Sequence, residues 1–86
     1  MAYLYNHLIE FNGNLSADKC EGILQQIAEK YGLCYDKVTE YYDTEDREYY
    51  IVVHIYADDE KLAMVKEILD KTGFEDLYDI YHKISK

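Results

Sequence analysis

The sequence predicts an α+β fold in which four strands and two helices follow the order βαββαβ. Three observations predict it. The period of hydrophobicity switches five times between strand-like alternation and a helical stripe. Turn and cap residues (Asn12-Gly13-Asn14, Gly32, Asp43 to Arg47, Gly73) stand at or beside the switches, and no proline or low-complexity linker interrupts the chain. With 49% hydrophobic and 31% charged residues, 86 residues are expected to make one globular domain, residues 1–86, rather than a disordered chain.

Each element has its own justification. Tyr3 to Phe11 alternates and reads as a strand, followed by the Asn12-Gly13-Asn14 turn. Ser16 is placed to cap a helix whose apolar positions Cys20, Ile23, Leu24, Ile27, Ala28 and Tyr31 form one stripe, and Gly32 suits the left-handed position that ends it. Leu33 to Tyr42 reads as a second strand, Asp43 to Arg47 as a polar turn, and Glu48 to Ala57 as a strand built on Ile51-Val52-Val53. Asp58 and Asp59 cap a second helix with the stripe Leu62, Val65, Ile68 and Leu69. Gly73 closes it, and Phe74 leads into a last strand through Tyr78, Ile80 and Ile84.

Right-handed crossovers between strands 1 and 2 and between strands 3 and 4 then favour a ferredoxin-like split βαβ. In that arrangement a four-stranded antiparallel sheet of order 4-1-3-2 carries both helices on one face. Alternation sends His7, Ile9, Phe11, Ile51, Val53 and Ile55 toward the helices. A hairpin with Thr44 opposite Arg47 puts Val38 opposite Val53 in the core, Tyr41 opposite Tyr50 and Tyr35 opposite Tyr56. The uncovered face is thus expected to carry Leu4, Leu8, Val52, Leu77, Tyr35, Tyr41, Tyr50, Tyr56 and Tyr81. Solvated faces of antiparallel sheets are ordinarily polar, whereas contiguous apolar patches mark interaction surfaces and tyrosine is enriched in interface cores. The five tyrosines are therefore candidate partner-binding residues.

Eighteen acids oppose nine bases, a net charge of −9. That balance argues against direct nucleic-acid binding, which needs Lys and Arg to neutralise phosphates. In the expected topology, Asp18, Asp43, Glu45, Asp46, Glu48, Glu75 and Asp76 gather at one end with Lys19, Arg47 and Lys71, leaving a local charge of −4. Asp43, Glu45, Asp46 and Glu48 are candidate partner-binding residues that steer toward a basic surface. The same run lacks the ligand spacing, central glycine and terminal glutamate of a calcium loop.

No catalytic constellation emerges, and neither a metal nor another cofactor is expected. Cys20 and Cys34 are expected as free, largely buried thiols, because roughly 16 Å of helix separates their ends and a disulfide needs Cα atoms within ~7 Å. His7 and His82 point to the helix side and His54 to the other, so a three-histidine site fails. Ser16 is a cap, and nucleophile-elbow and phosphate-loop motifs are missing. No apolar run approaches the ~18 residues of a membrane span, and no basic-then-apolar leader is visible. A cytoplasmic, reducing location without membrane contact is the expectation.

Several families share the βαββαβ order. Tyr50 and Tyr56 invite comparison with the RNA-recognition motif, but its basic aromatic segment is missing and the charge sign is wrong. Acylphosphatases place an Arg near strand 1, where this chain has only Asn12 and Asn14. Leu15 to Asp59, with Gly22 inside the first helix, resembles an ACT regulatory domain, which implies a homodimeric sensor of amino acids. In size, acidity, aromatic content and lack of catalytic residues, the chain is similar to small inhibitors carried by phages and other mobile elements, anti-CRISPR proteins among them. That resemblance implies a non-enzymatic, protein-binding inhibitor that blocks a basic nucleic-acid-binding surface by acidic mimicry and aromatic sheet-face contacts. A homodimer through the open face is the other occupant the sequence allows.

Overall fold

The computed structural model describes residues 5–82. In chain order the elements are β1 (His7–Asn12), α1 (Ala17–Tyr31), β2 (Cys34–Tyr35), β3 (Thr39–Asp43), β4 (Glu48–Tyr56), α2 (Asp59–Leu69), a wide π-type turn (Asp70–Phe74) and β5 (Tyr78–His82). Tyr3, Leu4, Ile84 and the other positions beyond these limits lie outside the described residues.

Two helices and an antiparallel five-stranded sheet make an α+β structure. Strand count and order differ from the expected four: the path is β2-β4-β1-β5, and β3 also pairs with β4. Because β1 occupies one edge of β4 along its length, β2 and β3 share the other. The expected strand from Leu33 to Tyr42 is therefore broken in two. Tyr35 opposes Ile55 and Thr39 opposes Val52, so Asp36, Lys37 and Val38 face only Val53 and His54. Three residues against two is a bulge, which shifts the phase of the strand by one residue. The Asp36 amide still bonds the His54 carbonyl at 2.8 Å, and the Asp36 carboxylate lies 3.6 Å from His54 Nδ1.

Both helices rest on one side of the sheet. Cys20, Ile23, Leu24 and Ile27 of α1 and Val65 and Leu69 of α2 join Ile9, Phe11, Ile51, Val53 and Ile55 in a single buried cluster. Each large apolar side chain so buried contributes about 1.5–3 kcal/mol. Ser16 Oγ accepts from the Lys19 amide at 3.1 Å, and Gly32 ends α1 at φ 75°. The stripe runs past the sheet at its end, where Tyr31 is exposed. Asp58 caps α2 by accepting from the Lys61 amide at 2.8 Å. At its other end Thr72 Oγ1 donates to the Ile68 carbonyl at 2.7 Å, and Gly73, at φ 93°, reverses the chain. That reversal drives Phe74 into the core, with its ring 5.7 Å from that of Phe11.

One fastening was not foreseen. Beyond the β1–β4 ladder, Asn6 Nδ2 donates to the Ala57 carbonyl and Asn6 Oδ1 accepts from the Ala57 amide, both at 3.0 Å. The side chain thus adds a two-bond rung where the strands part, and it satisfies backbone groups beside the core.

Two turns invite substitution. A Cβ on Gly13 would stand 1.9 Å from the Tyr49 carbonyl oxygen, which is backbone and unable to yield locally. Gly13→Ala is expected to destabilise by about 1–3 kcal/mol, read as a lower urea midpoint at unchanged slope. Phe74 to Leu77 closes with a 2.9 Å bond from the Leu77 amide to the Phe74 carbonyl, and Asp76 holds φ 63° at its third position. This is a type II geometry that favours glycine. Asp76→Gly is expected to raise thermal stability by about 0.5–1 kcal/mol, the left-handed cost less the added freedom of the unfolded chain.

Candidate functional site

Outward side chains of the sheet form cross-strand rows. Tyr81 lies beside Leu8 and Leu8 beside His54; Asp79 lies beside Glu10, Glu10 beside Val52 and Val52 beside Thr39. Tyr41 opposes Tyr50, as the hairpin register predicts, and Glu48 opposes Asp43. Leu8, Glu10, Val52, His54 and Tyr41 line a shallow, mostly apolar hollow of about 230 Å³.

Four of the five expected tyrosines stand on this face. Tyr41, Tyr56 and Tyr81 are exposed and Tyr50 is partly buried. Tyr35 does not join them. The bulge places it opposite Ile55 rather than Tyr56, on the helix side, where it packs against the core. The same shift turns Cys34 outward opposite Tyr56, so the expected buried thiol is exposed, while Cys20 is buried as anticipated. Burial pushes the Cys20 thiol up to about 11. Tyr42 and Tyr49, which sequence reasoning left out of the site, pair by register with ring centroids 4.7 Å apart, and both are exposed. Tyr49, at 62%, is the most exposed of the large hydrophobic side chains among the described residues.

The acids of the hairpin divide by role. Asp43 Oδ1 accepts from the amides of Glu45 at 2.9 Å and Asp46 at 3.3 Å, so it organises the turn. Tyr50 Oη donates to Glu48 Oε2 at 3.2 Å and Asp46 Oδ2 at 3.3 Å. Partial burial, then these carboxylates, push its phenol up to about 12. Glu45 projects from the turn and is exposed.

Glu10 and Asp79 were missing from the expected site, although alternation alone turns Glu10 outward. Their direct opposition emerges only from the β1–β5 register. Two like-charge pairs, Glu10 with Asp79 and Glu48 with Asp43, therefore stand opposite one another, an arrangement that destabilises a sheet. No Lys or Arg occupies an outward position on any described strand. The ion pairs among the described residues, His54 with Asp36 and Lys71 with Glu67, neutralise neither acid pair. Burial, then the charges of Asp79, Asp43 and Asp46, hold Glu10 above the usual carboxylate range, an effect the Tyr81 hydroxyl partly offsets.

The histidines divide as expected. His7 and His82 meet edge to face on the helix side with centroids 5.0 Å apart, and His54 is on the other face. His7 Nδ1 lies 2.9 Å from Asn6 Oδ1, to which it donates, and burial followed by His82 holds its pKa below the ordinary imidazole value. Among the described residues no group of three or more His, Cys, Asp or Glu is arranged to hold a metal ion, and no helix is long and apolar enough to cross a membrane.

Fold and site together define a small α+β protein with an open, aromatic and acidic sheet face. No family model matches the chain, and neither a curated protein nor a solved structure is significantly similar to it.

Glu10 and His7 give stability opposite pH dependences. Glu10 titrates higher in the folded state than unfolded, so acidification from that raised value toward the ordinary carboxylate range favours folding, and rising pH removes the gain. His7 titrates lower when folded, so its contribution is complete above the ordinary imidazole value and declines as pH falls toward the depressed one. Glu10→Gln is expected to raise the urea midpoint at neutral pH, with the advantage over wild type shrinking as pH falls through the Glu10 titration. An advantage independent of pH would show that the carboxylate charge is not its source.

Proposed function

We propose that this protein is a non-enzymatic binding module that occupies a basic surface of another protein, in the manner of an inhibitor that competes with nucleic acid. The observation that supports the reading is the composition of the open face. Tyr41, Tyr50, Tyr56 and Tyr81 surround Leu8 and Val52, with Glu10, Asp43, Glu48 and Asp79 among them and no outward Lys or Arg on the described strands. Aromatic side chains dominate interface energetics, while unpaired carboxylates steer a cationic partner and reject like charge.

A second copy is the poorer fit. A two-fold face-to-face dimer brings two sets of acidic rows together with no Lys or Arg on the described strands to separate them. We further read the sheet as a ferredoxin-like split βαβ in which β2 and β3 are halves of one edge strand, since both run antiparallel along the same edge of β4. Nucleic-acid mimicry belongs to the same proposal: carboxylates on a rigid sheet occupy the place of phosphates on a basic partner.

The test begins with affinity capture from host extract, using wild type beside a Tyr41→Ala/Tyr81→Ala double variant. A partner that is displaced by nucleic acid and lost with the double variant supports the reading, with losses above about 1 kcal/mol per anchoring tyrosine. A partner bound equally by both, or one retained through the helices alone, refutes it. With that partner in hand, Glu45→Lys/Asp46→Lys is expected to slow association and flatten its salt dependence while leaving dissociation nearly unchanged. A thermal shift produced by an amino acid would instead favour a sensor.

A further inference from the structure

We propose that the hollow floored by Leu8 and Val52 seats a guanidinium-bearing side chain of the partner, with Glu10 and Asp79 as its acceptors. This inference rests on the binding reading above and names the chemical group at its centre.

The hollow has two parts that suit one long cation. Its floor is almost wholly apolar, made by Leu8 and Val52 with the exposed ring of Tyr41 at one side. A methylene stem lies well on such a floor while its charged head reaches past it. The head then meets Glu10, which lines the hollow, and Asp79, directly opposite it on β5. Opposed residues on paired strands stand about 4.5–5.5 Å apart, so the two carboxylates offer acceptors to a planar fork of donors. Tyr41 and Tyr81 supply exposed rings on either side of that row. Guanidinium is more weakly hydrated than ammonium, stacks on aromatic faces and binds carboxylates in pairs. Arginine therefore suits the site better than lysine.

The occupant must come from outside this face. The described strands present no outward Lys or Arg, so a second copy laid strand face to strand face brings none from its own strands to the hollow. A bare metal ion is a poor occupant because the floor is apolar and, among the described residues, no third ligand joins the pair. Docking of a cation also changes the charge balance around Glu10. From β5 it faces Asp79 and Tyr81, from β3 Asp43, and from the hairpin Asp46; His54 lines the same hollow from β4. All the carboxylates among these oppose its ionisation, and a guanidinium favours it. Affinity should thus weaken as acid protonates Glu10.

The test is a titration of isotope-labelled protein, followed by amide chemical shifts. The probes are a short blocked peptide alternating glycine and arginine and the same peptide with neutral citrulline for arginine. Saturable shifts confined to Leu8–Glu10, Val52 and Asp79–Tyr81 with the arginine peptide, abolished with citrulline, support the proposal. Glu10→Gln should weaken that binding about tenfold, the scale of one charge-assisted contact, and wild-type binding should weaken as pH falls through the Glu10 titration, a dependence the Gln variant lacks. The Gln side chain is nearly isosteric and relieves a like-charge pair, so the variant retains the fold. Equal shifts with citrulline, shifts centred on Asp43–Glu48 instead, or undiminished binding by Glu10→Gln would overturn it. If a captured partner depends on Tyr41 and Tyr81 but not on Glu10, the guanidinium seat fails while the binding face stands.

Discussion

The register between β1 and β4 decides which side of the sheet every other side chain takes. Ile9 lies opposite Val53 and Phe11 opposite Ile51, and these pairs are buried beneath the helices. Leu8, Glu10, Val52 and His54 are thereby committed to the other side. A slip of one residue would bury Glu10 and expose Ile9. Two helices supply two apolar stripes, and both are used on the same side of the sheet. Nothing among the described residues is left to cover the outward face, so its composition follows from the same pairing that builds the core.

Alternation was legible where strands run unbroken. In β1 and β4 the apolar set and the polar set separate cleanly, and the caps at Ser16, Gly32 and Asp58 announce themselves by residue type. The edge strand was not legible in the same way. Asp36, Lys37 and Val38 look like three more alternating positions, and only their pairing against two residues of β4 makes them a bulge. Every residue before the bulge then changes sides, which moves Tyr35 inward and Cys34 outward. The hairpin side of the bulge keeps its phase, so Tyr41 and Tyr50 meet as the turn geometry requires. Asn6 escaped notice for a different reason: its bonds to Ala57 join residues far apart in the chain, and no local pattern marks them.

The site was half legible. Tyrosines draw attention by number, and those on β3, β4 and β5 lie where alternation puts them. The acids that matter most on the sheet itself do not draw attention, because one glutamate in a strand reads as ordinary polar punctuation. Only the β1–β5 register shows that Glu10 meets another carboxylate. Local rules of sheet design are broken there twice, by Glu10 with Asp79 and by Glu48 with Asp43, and neither pair has a neutralising partner within the described residues. Departures of this kind concentrate at functional positions, where local stability is subordinate to what the surface must meet.

Acid and aromatic surface constrain a partner in different ways, and neither suffices alone. Exposed carboxylates act over the screening distance of the solvent, about 8 Å at physiological salt, so they bias encounters without fixing a contact. A bare apolar floor discriminates little and invites self-association. Placed together on one rigid sheet, each corrects the other's lack of selectivity. On the proposed reading, the carboxylates would turn away another copy of the same acidic face, and the floor and rings would reward a cation only when it carries an apolar stem or planar head that displaces water from Leu8, Val52 and Tyr41. The β1–β4 register therefore makes both the core and a surface whose two chemistries favour the same kind of side chain.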